Sequence, residues 1–100
     1  MPHQQCRLLV LGSRKDLAAW LRREPWPDSF HEIEPLELEA TRRSFQFTTT
    51  SHPVPHLRRL SLAWPTLTFV LDYDTGTVKG LALLRGGHAR QRRLVYQPPP

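Results

Sequence analysis

The stretch that decides the fold runs from Phe45 to Gly87 and reads FQFTTTSHPVPHLRRLSLAWPTLTFVLDYDTGTVKGLALLRGG. Its apolar residues alternate with polar ones at both ends, which predicts β-strands, and follow helical spacing in the middle. Pro53 suits the first turn of that helix, and Pro65 closes it. Gly76 supplies a turn between two strands, so the segment predicts strand, helix, strand and strand in that order.

The residues before this stretch predict three more elements. Cys6 to Leu11 is a nearly continuous apolar run, which is typical of a central strand. Ser13 is expected to cap a helix that ends before Pro25, and Thr41 to Arg43 is expected to be a turn. Between them, Ser29 to Ala40 is strand-like, but Pro35 shifts the alternation and indicates an edge strand or a bulge.

The element order predicts an α+β fold, a ferredoxin-like β-α-β-β-α-β sandwich with two helices on one face of an antiparallel sheet. An extra C-terminal hairpin strand, Thr77 to Arg85, extends that sheet. His88 to Tyr96 is expected to be a last short strand or an extended arm. We expect one domain over residues 1–97 and a disordered tail over residues 98–100.

A set of residues within this fold resembles the YubB ferredoxin-like family, small uncharacterised proteins of bacterial plasmids and phages. The similarity covers roughly residues 30–87. It is carried by Glu32-Ile33-Glu34-Pro35-Leu36, Phe45-Gln46-Phe47-Thr48-Thr49, Pro53-Val54-Pro55, Leu57, Leu60, Ser61, Trp64-Pro65-Thr66-Leu67-Thr68-Phe69, Tyr73, Gly76, Gly80 and Gly87. The chain departs from the family pattern at Thr50-Ser51-His52, where an aromatic residue is absent. The resemblance implies the fold and a mobile-element origin, and it implies no catalytic residue.

Charge is unevenly distributed along the 100 residues. The net charge is +5, yet residues 1–75 hold nine basic and nine acidic side chains. The whole excess lies in residues 76–100, which hold five basic residues and no acid. Such a segment is either a solvated tail or an attraction site for nucleic acid or an acidic protein surface.

The composition limits both the class of protein and the cellular compartment in which we expect it. No apolar run approaches the roughly 20 residues that span a membrane, and no signal peptide is visible at the first residues. The single cysteine, Cys6, is expected to be a buried packing residue in a reducing compartment. We therefore expect a cytoplasmic protein without a membrane partner.

Several residue patterns could support catalysis or ligand binding, but each has a simpler structural interpretation. His52 and His56 are four residues apart, but no Cys or Glu has matching ligand spacing, so no metal site is predicted. The alternating glutamates at residues 32–39 suit a solvated strand, or an acidic strip that binds a basic partner, better than acid–base catalysis. Gly12 and Ser13 suit an ordinary capped helix start better than a phosphate loop. The expectation is no enzyme activity and no cofactor.

RNA binding is a second possibility, because Phe45 and Phe47 occupy alternate positions of an RNA-recognition strand. The plainer interpretation is that both rings pack under the helices. The sequence thus favours a small interaction protein that binds a protein or nucleoprotein complex, with a homodimer left open. The alternative is direct RNA or single-stranded DNA binding through the C-terminal arginines. The candidate interaction residues are Arg85, Arg90, Arg92, Arg93, Arg58, Arg59, Glu37 and Glu39.

Overall fold

The computed structural model describes residues 4–23 and 26–95, so the tail predicted at residues 98–100 lies outside the described residues. The elements in chain order are β1 (Gln4–Leu11), α1 (Arg14–Arg22), β2 (Phe30–Glu39), β3 (Arg42–Thr49), α2 (Val54–Ala63), β4 (Thr68–Asp74), β5 (Val78–Arg85) and β6 (His88–Val95). The described strands form one sheet in the order β2-β3-β1-β4-β5-β6. Every neighbouring pair is antiparallel.

The α+β class and the antiparallel sheet with two helices are confirmed. β1 is an interior strand between β3 and β4, as its apolar run predicts. The arrangement is compatible with a ferredoxin-like sandwich. Of the two alternatives left open for His88 to Tyr96, the structure shows the last strand, because residues 88–95 pair with β5 along their whole length.

Both helices cover the same face of the sheet. On this face β1, β3, β4 and β5 bury alternate side chains, and the indole of Trp20 on α1 lies edge-on to Phe45 and Phe69 at 6.2 and 5.7 Å between ring centroids. His56 on α2 contacts Phe30, which stacks on Phe47 at 4.1 Å. Since Phe45, Phe47 and Phe69 project from one side of the sheet, both helices lie there, and the core lies between the two layers.

The helix boundaries follow the expected signals. The Asp16 backbone N–H donates to the Ser13 hydroxyl at 3.2 Å, so Ser13 caps α1 as predicted. Asp16 itself accepts from the Thr66 hydroxyl at 2.8 Å, which ties the start of α1 to the residues just before β4. Pro53 lies at the start of α2 and makes no side-chain capping bond. Proline is tolerated there, because a backbone N–H in the first turn would have no partner within the helix.

The β2–β3 hairpin differs from the prediction in the position of its turn and agrees with it in the bulge of β2. Arg42 and Arg43 belong to β3 and pair with β1, so the turn predicted at Thr41 to Arg43 is confined to the residues before Arg42. β2 shows two register shifts, one of them between Pro35 and Glu37, which confirms the predicted bulge on an edge strand. Proline is tolerated there because an edge strand leaves one row of N–H groups unpaired.

Candidate binding surfaces

The last strand presents arginines on both sides of the sheet edge. Arg90 and Arg92 pair with Leu83 and Leu81, whose side chains are about half exposed on the face opposite the helices. Arg93 pairs with Gly80, a position on the helix-covered face. Because side chains alternate along a strand, β6 carries positive charge to both faces from one short segment.

On the helix-covered side, α2 and β6 enclose a groove of about 470 Å³, here called the α2–β6 groove. Its lining residues are His52, Val54, Pro55, Arg58, Arg59, Ala89, Gln91 and Arg93. Three arginines from two elements therefore line one groove whose lining contains no carboxylate. Pro55 is exposed and Ala89 half-buried, and they add apolar surface to it.

Contacts within the chain hold part of this groove in place. Arg58 Nε donates to the carbonyl oxygen of Gly87 at 2.8 Å, and the Ser61 hydroxyl accepts from the Gly87 N–H at 3.0 Å. Both bonds fasten the β5–β6 turn to α2 and so connect the two walls of the groove. Arg93 donates to Gln91 Oε1 at 3.5 Å, and Arg59 has no partner among the described residues.

Electrostatics in the groove disfavour a further positive charge. Partial burial, and then the nearby Arg93 guanidinium, lower the pKa of the His52 imidazole below its usual range. Burial is the larger of the two causes, and the Arg93 charge adds to it by disfavouring the protonated imidazole.

The face of the sheet opposite the helices, here called the open face, is a second surface. Leu81, Leu83, Arg90, Gln91 and Arg92 line a shallow groove of about 480 Å³ at its β5–β6 end. Leu81 and Leu83 keep 51% and 46% of their surface exposed, values unusual for leucine in the middle of a strand. Apolar floor and arginine walls are typical of protein interfaces.

The predicted acidic strip lies at the other edge of the same face. Glu37 pairs with Ser44 and Glu39 with Arg42, and both positions belong to the open face. Glu37 Oε1 accepts from Arg42 Nε at 2.7 Å, so these two side chains form an ion pair. Four strands separate these glutamates from Arg90 and Arg92.

The structure thus divides the predicted interaction residues into three places. Arg58, Arg59 and Arg93 meet in the α2–β6 groove, Arg90 and Arg92 lie on the open face, and Glu37 and Glu39 lie across it. Arg85 donates to the Thr68 hydroxyl at 2.9 Å on the open face. Sequence reasoning missed His52 and Gln91, because only the pairing of β6 brings residue 91 next to the start of α2.

The structure also shows where the aromatic, cysteine and histidine side chains considered in the sequence analysis lie. Phe45 and Phe47 are 5% and 2% exposed, so the plainer interpretation of these rings is confirmed. Cys6 is buried as expected, and burial, with a smaller effect of the Asp72 charge, raises the pKa of its thiol to about 12. His52 contacts Tyr73 and His56 contacts Phe30, so the two imidazoles lie against different rings.

Residues 4–23 and 26–95 contain neither a group of three or more His, Cys, Asp or Glu that could hold a metal ion nor a helix long and apolar enough to cross a membrane. The absence of a cofactor and of an enzymatic reaction stays a prediction.

Comparison with known proteins leaves the chain without an assigned relative. No family model matches it, and neither a curated protein nor a solved structure does. The resemblance to the YubB family stays a prediction that none of these comparisons tests.

Proposed function

We propose that this chain is a non-enzymatic interaction protein that binds an acidic surface of a protein or nucleoprotein complex through the α2–β6 groove. The observation that carries the proposal is the convergence of Arg58, Arg59 and Arg93 on a groove without a lining carboxylate. Arginine pairs with carboxylates through a planar, two-pronged set of donors, so three of them favour an acidic partner.

The apolar part of the groove supports a protein partner over a purely electrostatic one. Pro55 is exposed and Ala89 half-buried, and they line the groove together with the arginines. Mixed apolar and arginine surfaces are typical of protein interfaces, in which a few anchor residues supply most of the affinity. A partner that presents acidic side chains around a small apolar residue fits this chemistry.

Direct RNA or single-stranded DNA binding is a second candidate, favoured by the arginines on both faces of β6. Such a protein would hold phosphates along the edge of the sheet. Its binding would differ from that of RNA-recognition domains, because the described part of the open face carries no Phe, Tyr or Trp on which a base could stack. Affinity would then be sequence-independent and sensitive to salt.

The proposal also includes the ferredoxin-like topology and an origin in a mobile genetic element. We propose that the first four strands and both helices form a ferredoxin-like sandwich, to which β5 and β6 are added. The resemblance to the YubB family further suggests a mobile genetic element, and the partner would then be host machinery that the protein inhibits or modulates.

Fluorescence anisotropy with three labelled probes of equal length tests the function: an oligoglutamate peptide, a single-stranded RNA and a single-stranded DNA. The variant R58A/R59A/R93A removes three charges from the groove, and R14A/K15A/R22A removes three from exposed positions of α1. We expect the groove variant to weaken peptide binding about tenfold or more, and the α1 variant to leave it nearly unchanged.

The outcomes separate the candidates. Equal losses in both variants would show attraction to overall charge and would overturn the proposed groove. Binding of the nucleic acids but not of the peptide, with a salt dependence of about two to three released ions between about 50 and 200 mM salt, would favour the second candidate. No binding of any probe at low salt would contradict both.

A further inference from the structure

The open face carries a charge gradient that follows the order of its strands. One cross-strand row contains, from the β2 edge to the β6 edge, Glu37, Ser44, Leu9, Val70, Leu83 and Arg90. The next row contains Glu34, Gln46, Arg7, Asp72, Leu81 and Arg92. Each row begins with an acid and ends with an arginine; the inner positions of the first row are mainly apolar, and those of the second are mainly polar.

Nothing in the described residues covers this face. Both helices lie on the other side of the sheet, and Leu81, Leu83 and Leu94 are 51%, 46% and 64% exposed. Arg90 and Arg92 at the end of the two rows have no ion-pair partner among the described residues. Half-exposed leucines beside unpaired arginines indicate a face that is completed by another molecule.

We propose that the occupant of the open face is a second copy of this chain, bound face to face about a two-fold axis parallel to the strands. The six strands divide evenly at the β1–β4 boundary, so an axis there places β2 of one copy over β6 of the other. This rotation leaves the position of each row along the strand direction unchanged, so each row faces the same row of the second copy. Glu37 then faces Arg90 of the second copy, and Glu34 faces Arg92.

The centre of the face fits the same rotation. β1 of one copy lies over β4 of the other, so Leu9 meets Val70 of the second copy in one row. In the next row Arg7 meets Asp72. A two-fold interface must be complementary to itself. This arrangement satisfies that condition for the three pairs of opposite charge and for Leu9 with Val70. Leu83 and Leu81 face Ser44 and Gln46, and in the neighbouring row Arg42 faces Arg85. Packed sheets rotate by about 30° relative to each other, which displaces the ends of the strands more than these middle rows.

The size of the face is sufficient for a reversible dimer. Six strands spaced about 4.8 Å apart and about eight residues long give a face of about 24 by 26 Å, or about 600 Å² per copy. The total of about 1,200 Å² lies at the lower limit of specific interfaces. The dimer leaves the α2–β6 grooves on its two outer sides, so this inference is independent of the proposed function.

Sedimentation velocity over a concentration series tests the inference with two charge-reversal variants, R90E/R92E and E34K/E37K. The first makes both edges of the face acidic and the second makes both basic. Each alone is expected to raise the dimer dissociation constant at least tenfold. An equimolar mixture is expected to restore dimers, because the acidic face of one variant matches the basic face of the other.

A control variant with charges reversed on α1 is measured in the same sedimentation experiment. R14E/R22E reverses two charges on α1 and is expected to leave the dimer intact, and circular dichroism checks that each variant is folded. A wild-type chain that stays monomeric at high concentration would overturn the inference, as would variants that dimerise as well as the wild type. A monomer that still binds the oligoglutamate probe would overturn the dimer and leave the proposed function standing.

Discussion

The phenol ring of Tyr73 lies over Gly80, its cross-strand neighbour on β5, and fills the space that a side chain at position 80 would occupy. A Cβ atom added to Gly80 would lie 2.0 Å from Tyr73 Cζ. Tyr73 is 2% exposed, and its hydroxyl reaches Gln91 on β6 at 3.4 Å. An aromatic ring that covers a strand glycine in this way stabilises a position where glycine alone packs poorly.

Gly80→Ala is therefore expected to destabilise the protein by about 1–3 kcal/mol, since the buried ring must move to admit the methyl group. Urea denaturation measures the change. Gly80→Ala in a Tyr73→Leu background should cost clearly less, because the clash is then removed. Equal costs in the two backgrounds would show that the ring does not determine the choice of glycine.

Ser61 shows how a polar residue can serve the core. It is fully buried, donates to the Arg58 carbonyl at 2.8 Å and accepts from the Gly87 N–H at 3.0 Å. Ser61→Ala leaves that N–H without its partner, and we expect a loss of about 1–3 kcal/mol in the free energy of unfolding. Ser44→Ala on the open face is the matched control and should change it by less than about 0.5 kcal/mol. A loss no larger than that of the control would show that the turn is not fastened through Ser61.

Ser61 and β6 also show where sequence reasoning succeeds and where it ends. The helical spacing of apolar residues predicts a buried stripe on α2 at Val54, Leu57 and Leu60 with Ala63 or Trp64. Val54 and Leu57 are buried, and Leu60 and Trp64 are partly buried against the core. Ser61 is invisible to that reasoning, because its burial depends on a turn 26 residues later. A single sequence shows the local pattern of apolar residues, but it does not show which distant residues will pack against them.

The same limit applies to the binding surfaces. The arginines of residues 85–93 stand out in the sequence, yet their division between two faces depends on the register of β6 against β5. Glu37 and Arg90 share a row only because β2 and β6 lie at opposite edges of one sheet. The phase shift at Pro35, in contrast, is local, and the sequence predicts it correctly.

Because of Cys6, the free energy of unfolding is expected to decrease at alkaline pH. Its thiol pKa is raised from 9.0 to about 12 in the folded chain, chiefly by burial. A raised pKa means that the folded state keeps its proton longer than the unfolded state. The stabilisation is therefore complete below pH 9 and is lost as the pH rises from 9 towards 12, by up to about 1.4 kcal/mol per pH unit.

Comparison with Cys6→Ala isolates this contribution, because all other groups titrate in both proteins. The free energy of unfolding of the wild type should fall towards that of the variant as the pH rises from 8 to about 10.5. Parallel pH profiles would contradict the assignment. The native thiol should also react with iodoacetamide much more slowly than the thiol of the urea-unfolded chain.

His52 links the α2–β6 groove to mildly acidic pH. Burial and the Arg93 guanidinium lower its pKa, so the folded chain favours the neutral imidazole, and the stability this adds is lost as the pH falls below the usual value of 6.5. Arg58 and Arg59 of α2 line the same groove, and Tyr73 of β4 contacts the ring at 5.4 Å. Arg93→Ala is expected to raise the pKa of His52, which NMR titration of the imidazole protons measures directly.

An acidic ligand in the groove should act in the opposite direction to Arg93. Its carboxylates favour the protonated imidazole, so binding of the oligoglutamate probe is expected to strengthen as the pH falls from 7.5 towards 5.5, a range in which its carboxylates remain largely ionised. His52→Gln keeps a polar side chain but cannot take up a proton, and its binding should vary much less with pH. If the variant kept the full pH dependence, the titrating group would lie elsewhere, and His52 would have no part in the groove's response to an anion.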